Sequence, residues 1–212
     1  MPDLCNVEAK GSKPIVLSID HYTVETWRLI LFLGLVLQKF LWECLRPRKI
    51  QGTKRRSSNP RRKWFVKCLR AALMLFLVFQ TLFLDLLPIS DYSIFLRNIG
   101  ITIFFLGLGV SIFGRLQLGK NWSVLEDYQI LPEQIHVKTG IYRYIRHPIY
   151  AGDILLLLGL EIALNSWLVL GVFIIVLFVV RQVIKEEALL LRTFEGYDTY
   201  CTETKKFIPF VY

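Results

Sequence analysis

The side chains best suited to chemistry in this 212-residue chain lie in two short polar segments. In the first, Arg146 and His147 come directly before Pro148, and Ile149 and Tyr150 follow it. Proline suits the first position of a helix, because its missing N–H would have had no partner there. The free N–H groups of that first turn, together with the helix dipole, form a binding site for an anion or a carboxylate. Arg146 and His147 would add donors to this site; the alternative is that Arg146 is an ordinary interfacial charge.

The second segment carries Arg181, followed five and six residues later by Glu186 and Glu187. Opposite charges on a helix pair best three or four residues apart. At the longer spacing the cation and the carboxylates point in different directions, which favours contacts with two different groups of a ligand. The alternative is that Arg181 extends to a membrane interface while the glutamates face water.

The remaining reactive side chains form no recognisable catalytic or metal-binding pattern. The four cysteines are scattered without a CxxC pair, and the three histidines form no HExxH or comparable cluster, which predicts unpaired thiols and no metal site. No serine–histidine, cysteine–histidine or paired-carboxylate arrangement accompanies the two segments. The pattern therefore favours group transfer between two bound ligands, with the protein supplying position and charge compensation.

The elements that must position these residues are apolar helices. The chain is 54% hydrophobic and 20% charged, with a mean hydropathy of +0.45, which is too apolar for an ordinary soluble domain. Apolar runs at 27–44, 69–87 and 94–114 are each long enough to cross a bilayer. Two shorter runs, 149–164 and 167–180, flank an Asn165-Ser166 turn. The prediction is an all-α integral membrane protein of five transmembrane helices, the last two forming a short helical hairpin whose second helix continues to about residue 194.

The positive charges predict how these helices are oriented. The chain carries 26 Lys+Arg against 17 Asp+Glu, and 21 of the 26 lie in alternate connections, at 46–70, 115–148 and 181–212. By the positive-inside rule these connections are cytosolic, so the N-terminus is extracytosolic and the C-terminus cytosolic. The basic cluster at 46–63 is interpreted as a topology signal that also attracts anionic lipid headgroups, and nucleic-acid binding is disfavoured because no binding fold flanks it.

Three parts of the chain follow from this pattern. Residues 1–26 form an extracytosolic segment, residues 27–114 three transmembrane helices with a basic cytosolic loop at 46–63, and residues 115–212 hold both polar segments on the cytosolic side. Within the third part, Gln134 to Lys138 is predicted to be a short extended piece, followed by a turn at Thr139-Gly140. A water-soluble cofactor would be bound in this third part.

The residues of the third part resemble the isoprenylcysteine carboxyl methyltransferase family. The resemblance covers about residues 115–212 and is carried by three motifs in order. They are Leu-Gly-Lys-Asn-Trp-Ser at 118–123, Gly-Ile-Tyr-Arg-Tyr-Ile-Arg-His-Pro-Ile-Tyr at 140–150, and Arg181 with Glu186-Glu187 followed by Phe194, Tyr197, Tyr200 and Phe207-Ile208-Pro209. The first three apolar runs match that family only in number and hydropathy.

The resemblance implies a membrane methyltransferase that uses S-adenosylmethionine, with 115–212 as its core and a lipid-like acceptor arriving from the bilayer. Carried over by position, Arg181 would orient an acceptor carboxylate such as that of a prenylated cysteine. Glu186 would hold the ammonium group of the cofactor. The resemblance thus implies that Arg181 and Glu186 are the catalytic residues. The other residues implied to line the cofactor pocket are Gln134, Ile135, His136, Val137, Tyr142, Arg146, His147, Pro148, Ile149 and Tyr150. The membrane would be a bacterial inner membrane or the endoplasmic reticulum.

Other functions stay open at this point. Members of the wider superfamily methylate phospholipid amines or small thiols, and an amine acceptor would need a proton acceptor such as Glu186, Glu187 or Asp153. Membrane sterol reductases, which use a nicotinamide cofactor, resemble the chain in the Arg-His-Pro-x-Tyr turn, the Gly152-Asp153 pair and the Phe-Ile-Pro ending. A non-catalytic membrane protein that keeps the fold is a third possibility. The pattern assigns no role to Glu161.

Overall fold

The computed structural model describes residues 25–45, 60–90, 94–121 and 136–208. The regular secondary structure of these residues is helical. The long helices are α1 (Thr26–Cys44), α2 (Pro60–Phe83), α3 (Ile94–Leu118), α4 (Pro148–Ala163) and α5 (Val169–Thr193). A short helix, α6 (Tyr197–Glu203), follows α5, and two 3-10 turns lie at Gly119–Asn121 and Gly140–Arg143. The all-helical prediction is confirmed within the described residues.

The helix bounds follow the apolar runs, with one informative difference. The sequence predicts helix from residue 69, whereas α2 begins at Pro60 and so includes part of the predicted basic loop. Proline is favoured in the first turn of a helix, and Arg and Lys are good helix formers, so a basic end can extend a helix past its apolar part. The rest of the basic cluster, 46–59, lies outside the described residues, as does the predicted N-terminal segment up to residue 24.

Helices α3 and α4 form the closest pair in the described structure, and glycines allow their backbones to touch. A Cβ added at Gly107 of α3 would overlap the backbone nitrogen of Leu156 and lie 2.7 Å from the carbonyl oxygen of Gly152. A Cβ at Gly159 of α4 would overlap the backbone nitrogen of Phe104 and lie 2.7 Å from the oxygen of Gly100. Small residues at such positions are the usual means of close helix packing in membranes.

The apolar core surrounds this pair. Leu31 and Leu35 of α1 pack against Phe104 and Leu108 of α3 and against one face of α4. Large apolar side chains also cover the outside of the helices. Phe113 and Phe178 are both 64% exposed, and Leu75 is 70% exposed. Extended exposed apolar surface of this kind marks contact with a membrane or a partner.

Within the described residues, α3 is the helix whose length and composition suffice to cross a membrane, with a mean hydropathy of 1.9. The other long helices are polar at one end or short. Helix α4 has 16 residues, and the apolar part of α5 ends at Arg181. The described helices therefore agree with an apolar helical bundle, and the number of membrane crossings stays a prediction.

Polar contacts fix the two ends of the bundle. At one end, Trp167 N–H donates to the Leu87 carbonyl (2.9 Å) and Ile89 N–H to the Asn165 carbonyl (2.9 Å), so the turn between α4 and α5 pairs with the segment after α2. At the other end, the fully buried Arg115 of α3 donates to the carbonyl oxygens of Leu45 and Gly119. These contacts hold the ends of α1, α3 and the α4–α5 turn in a fixed relation.

Candidate functional site

The loop before α4 is held by hydrogen bonds to two other helices, α3 and α6. Gly140 has a φ of +61°, a conformation that favours glycine, and it starts the 3-10 turn. The next residue, Ile141, donates its N–H to the side-chain oxygen of Gln117 on α3 (2.7 Å). The Tyr142 hydroxyl donates to the Gly114 carbonyl (3.2 Å), and the Tyr200 hydroxyl of α6 donates to the Tyr142 carbonyl (2.6 Å). The predicted turn at 139–140 is therefore tied to both α3 and α6.

The segment after α6 pairs with this loop as a short parallel strand contact. Arg146 N–H donates to the Lys205 carbonyl (2.8 Å), and His147 N–H donates to the Lys206 carbonyl (3.0 Å). In return, Lys205 N–H donates to the Tyr144 carbonyl (3.1 Å). Phe207 packs near the His147 ring, with 6.0 Å between ring centroids. The segment 204–208, which we call the docked tail, therefore fixes the residues that lead into α4.

Helix α4 begins at Pro148, as the sequence predicts, with His147 immediately before it. Pro148 is buried against α3, because a Cβ added at Gly114 would lie 3.1 Å from Pro148 Cγ and 3.2 Å from Ile149 Cγ1. These contacts give Pro148 and Ile149 a packing role at the start of the helix. The His147 side chain is 5% exposed and points towards α5.

One carboxylate on α5 joins the two polar segments. Glu187 Oε1 accepts from Arg146 Nε (2.7 Å) and lies 3.3 Å from His147 Nε2, and Glu187 Oε2 lies 3.5 Å from Lys206 Nζ. We call these four residues the Glu187 cluster. Burial alone would raise the pKa of Glu187, but hydrogen bonds from His147 and Arg146 outweigh burial and lower this pKa to about 2. Glu187 is therefore ionised at neutral pH.

The Arg146 guanidinium donates its hydrogen bonds to other groups of the protein. Besides Glu187, its Nη1 donates to the carbonyl oxygens of Cys201 (3.0 Å) and Thr204 and lies 3.2 Å from Thr204 Oγ1. The side chain is only 7% exposed. The sequence predicts Arg146 as a donor to a bound anion, whereas the structure directs these donors to α5, α6 and the docked tail. In this arrangement Arg146 organises the site.

Glu186 has a different environment from its neighbour Glu187. The Tyr150 hydroxyl of α4 donates to Glu186 Oε2 (3.2 Å), so the second motif contacts the first through this pair as well. Burial raises the pKa of Glu186, and the nearby His147 and the Tyr150 hydrogen bond only partly oppose that rise. Among the described residues no cation is in hydrogen-bond contact with Glu186, and a partly buried carboxylate of this kind fits a ligand ammonium group.

Aromatic rings surround His136, which precedes the loop. Its ring centroid lies 4.3 Å from that of Tyr200, 4.8 Å from Tyr197 and 5.9 Å from Phe194. Burial, followed by the charge of Lys138, lowers the His136 pKa to about 4, so the ring is neutral at pH 7. His136 and Val137 are partly buried, and residues 136–138 form no regular secondary structure. Gln134 and Ile135 lie outside the described residues.

Arg181 is placed apart from the Glu187 cluster. Its side chain is exposed on α5, where the apolar part of that helix ends. Glu187 and Val183, by contrast, are buried on the face of α5 that turns to the protein. The structure therefore brings His147, Arg146, Tyr150 and the two glutamates together, and leaves Arg181 at the border between the apolar surface and the site.

Two other carboxylic acids of α4, the partly buried Asp153 and the buried Glu161, contact different helices. Asp153 of α4 accepts from Gln38 of α1 (2.8 Å) and from Ser111 of α3. Glu161, near the other end of α4, accepts from Gln80 of α2 (2.9 Å). These hydrogen bonds go to residues outside the Glu187 cluster and connect α4 with α1, α2 and α3.

Sequence reasoning missed several residues that build the site. They are Gln117, Cys201, Thr204 and Lys206, together with Tyr200, which the sequence motif contains without a role. Their contacts connect positions far apart in the chain, mostly through backbone groups. The one sequence signal for these residues is that Tyr200 and part of the docked tail, Phe207-Ile208, belong to the motifs that carry the family resemblance.

Comparison with known proteins gives three consistent results. Residues 95–196 match the family model for phospholipid methyltransferases. Protein-S-isoprenylcysteine O-methyltransferase from Schizosaccharomyces pombe is 29% identical over 99 residues, which is 45% of this chain and 42% of that protein. The structure of the eukaryotic intramembrane Ras methyltransferase ICMT (isoprenylcysteine carboxyl methyltransferase) superposes with a TM-score of 0.59 at 20% identity, covering 89% of this chain and 70% of that chain.

The family resemblance is thus confirmed. The chain is similar to phospholipid methyltransferases over residues 95–196 and to isoprenylcysteine O-methyltransferases over a stretch of 99 residues. The matched region contains both polar segments of the site, because residues 95–196 run from the start of α3 past Glu187. The fold likeness to the intramembrane ICMT covers 89% of the chain, so it reaches beyond residues 115–212, which carry the sequence motifs. The match with the yeast relative covers 42% of the length of that protein. Helix α6 and the docked tail follow residue 196, so they lie outside the part of the chain that the family model matches.

Proposed function

We propose that this protein is an integral membrane methyltransferase that moves a methyl group from S-adenosylmethionine to the α-carboxylate of a prenylated cysteine. The observation that supports this proposal best is the joining of the two motifs by direct contacts. Tyr150 donates to Glu186, and His147 and Arg146 contact Glu187. The family match, the name of the yeast relative and the fold likeness to the intramembrane Ras methyltransferase support the same reaction.

The residues present fit this cofactor. S-adenosylmethionine supplies an electrophilic methyl group on a sulfonium centre. Glu186 would hold its ammonium group, while His147, Tyr150 and the aromatic rings beside His136 would line the pocket. The N–H groups at the start of α4 and the family-matched positions Gln134, Ile135, Val137 and Tyr142 complete the proposed lining.

The protein needs to supply little acid–base chemistry for a carboxylate acceptor. A carboxylate is already ionised at neutral pH, so the tasks of the chain are to orient it and to exclude water. The exposed guanidinium of Arg181 stands where the apolar part of α5 ends, a position from which it would orient an acidic headgroup whose apolar tail stays in the bilayer. The exposed apolar side chains of α5 would contact that tail.

The proposed membrane arrangement has five crossings, with α4 and α5 as a hairpin and the site on the cytosolic face. Three observations support it. The positive charges lie in alternate connections, the described helices expose large apolar side chains, and the turn at 164–168 joins α4 directly to α5. A glycosylation or cysteine-labelling map of both termini in sealed membranes tests this arrangement.

Cofactor binding tests the reaction class. We expect purified protein in detergent or nanodiscs to bind S-adenosylhomocysteine and to show no saturable response to NADPH. Isothermal titration calorimetry with each compound measures both. Tight NADPH binding without a response to S-adenosylhomocysteine would support the sterol-reductase alternative instead.

The phospholipid methyltransferase match favours a second candidate, methylation of a lipid amine. Radiolabelled S-adenosylmethionine should be incubated with a farnesyl-cysteine analogue, phosphatidylethanolamine and small thiols in parallel. Base-labile label in the farnesyl-cysteine product supports carboxyl methylation. Label only in the phospholipid would overturn the proposed acceptor while leaving the reaction class intact.

The acceptor role of Arg181 gives a sharper test. Arg181→Ala should reduce turnover at least about a hundredfold while leaving S-adenosylhomocysteine affinity unchanged, because the guanidinium would contact only the acceptor. Arg192→Ala, an exposed arginine later on the same helix, is the matched control. Normal turnover of Arg181→Ala would show that the acceptor carboxylate lies elsewhere.

A further inference from the structure

A ridge of exposed side chains runs along α5 from its apolar part into its polar part. Side chains four residues apart lie one above the other on a helix, and Phe173, Leu177, Arg181 and Lys185 follow this spacing. All four residues are exposed. We call them the α5 ridge. This ridge changes from apolar to basic at Arg181, where the apolar part of the helix ends.

The two cations of the α5 ridge are not compensated by their own helix. Opposite charges pair best three or four residues apart. The positions at these distances from Lys185 hold Arg181, Gln182, Ala188 and Leu189, of which none is acidic. Arg181 is a like charge, and like charges at this spacing destabilise a helix. Within the part of the chain that the structure describes, neither cation of the ridge forms an ion pair.

The two glutamates that follow Lys185 are turned towards other groups. At about 100° per residue, Glu187 lies roughly on the opposite side of α5 from Lys185, where it is buried against Arg146 and His147. Glu186 accepts from the Tyr150 hydroxyl of α4. The positive charge of the α5 ridge therefore faces outwards, beside the site but on another side of the helix.

The order of groups along the α5 ridge matches the end of a prenylated peptide. The proposed function places the prenyl tail against the exposed apolar part of α5 and the terminal carboxylate at Arg181. The residues that precede the prenylated cysteine then lead away from the bilayer, past Lys185. Lys185 lies about 6 Å further along the helix than Arg181, and two residues of extended peptide span about the same distance. A negative charge on either of these two residues would meet the Lys185 ammonium.

We propose that Lys185 is a specificity-determining residue that favours acceptors with an acidic side chain one or two residues before the prenylated cysteine. This inference rests on the proposed function and narrows its substrate class. Arg192 is not included, because it lies in the last turn of α5, where the helix dipole favours a positive charge. The competing partner of Lys185 is an anionic lipid headgroup, which would affect all acceptors alike.

Acceptors of equal shape and different charge test the inference. Acetylated Asp-Asp and Asn-Asn tripeptides that end in farnesyl-cysteine form such a pair. In nanodiscs of phosphatidylcholine, the unaltered protein should show a kcat/KM about twofold to fivefold higher for the Asp-Asp acceptor, the size of effect that an exposed ion pair supports. High salt, which screens exposed charges, should reduce this preference.

Substitutions of Lys185 assign the preference to this side chain. Lys185→Met should abolish the preference for the Asp-Asp acceptor, Lys185→Glu should reverse it, and Lys185→Arg should retain it, because only the last keeps the positive charge. Arg192→Ala is the matched control and should keep the preference of the unaltered protein. Since Lys185 is exposed, these variants should fold, and their melting temperatures check this.

The outcomes separate the two proposals. If the unaltered protein methylates neither acceptor, the proposed function fails, and the inference fails with it. If it methylates both equally well, only the inference fails. A preference that persists in Lys185→Met would overturn the inference by assigning the preference to another cation. An equal loss for both acceptors in Lys185→Met would overturn it as well, in favour of contact with a lipid headgroup.

Discussion

The α3–α4 interface and the Glu187 cluster hold the molecule together in opposite ways. Between α3 and α4, glycine backbones touch and leave no room for a single added carbon. In the Glu187 cluster, three basic side chains from two segments surround one carboxylate. The first contact depends on the absence of side chains, and the second depends on their charges.

This difference indicates that the α3–α4 interface supports the fold, whereas the Glu187 cluster can also respond to a ligand. Backbone contact between helices gives a rigid frame that does not respond to pH or to a ligand. A cluster with nearly balanced charges changes its energy whenever a proton, a salt or a charged ligand enters. We therefore expect substitutions at the interface to alter stability first, and substitutions in the cluster to alter ligand binding as well.

The largest effect is expected from Arg146→Ala. Removing one partner of a buried ion pair leaves the other charge uncompensated, at a cost of about 3–5 kcal/mol. The substitution also removes the bonds from Arg146 to Cys201 of α6 and to Thr204, so the docked tail should be held by its backbone hydrogen bonds alone. Thermal unfolding and S-adenosylhomocysteine titration should both show a loss. Arg146→Lys, which keeps the charge without the planar donors, should lose less, and an unchanged melting point for Arg146→Ala would contradict the role given to this pair.

Adding a methyl group at the interface should have the next largest effect. Gly107→Ala and Gly159→Ala should each destabilise the protein by about 1–3 kcal/mol, because the new carbon meets backbone atoms that cannot move aside. Gly109→Ala on the same helix meets nothing within 4 Å and should be neutral or slightly stabilising. Detergent-solubilised melting temperatures compare the three variants. Equal melting temperatures for Gly107→Ala and Gly109→Ala would mean that α3 and α4 are not in backbone contact.

The smallest expected effect is a dependence of ligand affinity on pH, which the site should show and the α3–α4 interface should not. Glu186 must be ionised to hold an ammonium group, and burial raises its pKa. Affinity for S-adenosylhomocysteine should therefore fall severalfold as the pH is lowered from neutrality, and the fall should begin at a higher pH than for an ordinary glutamate, because the pKa of Glu186 is raised. Glu187 stays ionised over this range because its pKa is lowered to about 2.

The control for the pH experiment is Glu186→Gln. This variant should bind more weakly at pH 7 and show a flatter pH profile. Equal pH dependence in both proteins would assign the titrating group to another residue. The melting temperature should change little over the same pH range if the backbone contact of α3 with α4 dominates stability.

The sequence predicts the helical elements well, because apolar runs and helix signals are local. Pro148 at the start of α4 and the turn at Asn165-Ser166 were predictable from single residues. The extension of α2 to Pro60 was less so, since a basic segment is compatible with both a loop and a helix end.

The site was predictable only in part. The motif residues His147, Tyr150, Glu186 and Glu187 do meet in the structure. The direction of the Arg146 side chain and the place of Lys206 depend on backbone pairing between residues about 60 positions apart. Such pairing leaves no periodicity or composition signal, and side-chain hydrogen bonds to backbone carbonyls depend on no residue type at the acceptor.

The pairing of the docked tail with residues 144–147 has a consequence for how the protein is made. Helices α3 and α4 have everything they need to pack once residue 163 is synthesised, whereas the partners of Arg146 and His147 at 201–206 come much later. During synthesis the contact of α3 with α4 can therefore form before the Glu187 cluster. A growing chain should lack the complete cluster until residues 201–206 have left the ribosome and returned to the start of α4.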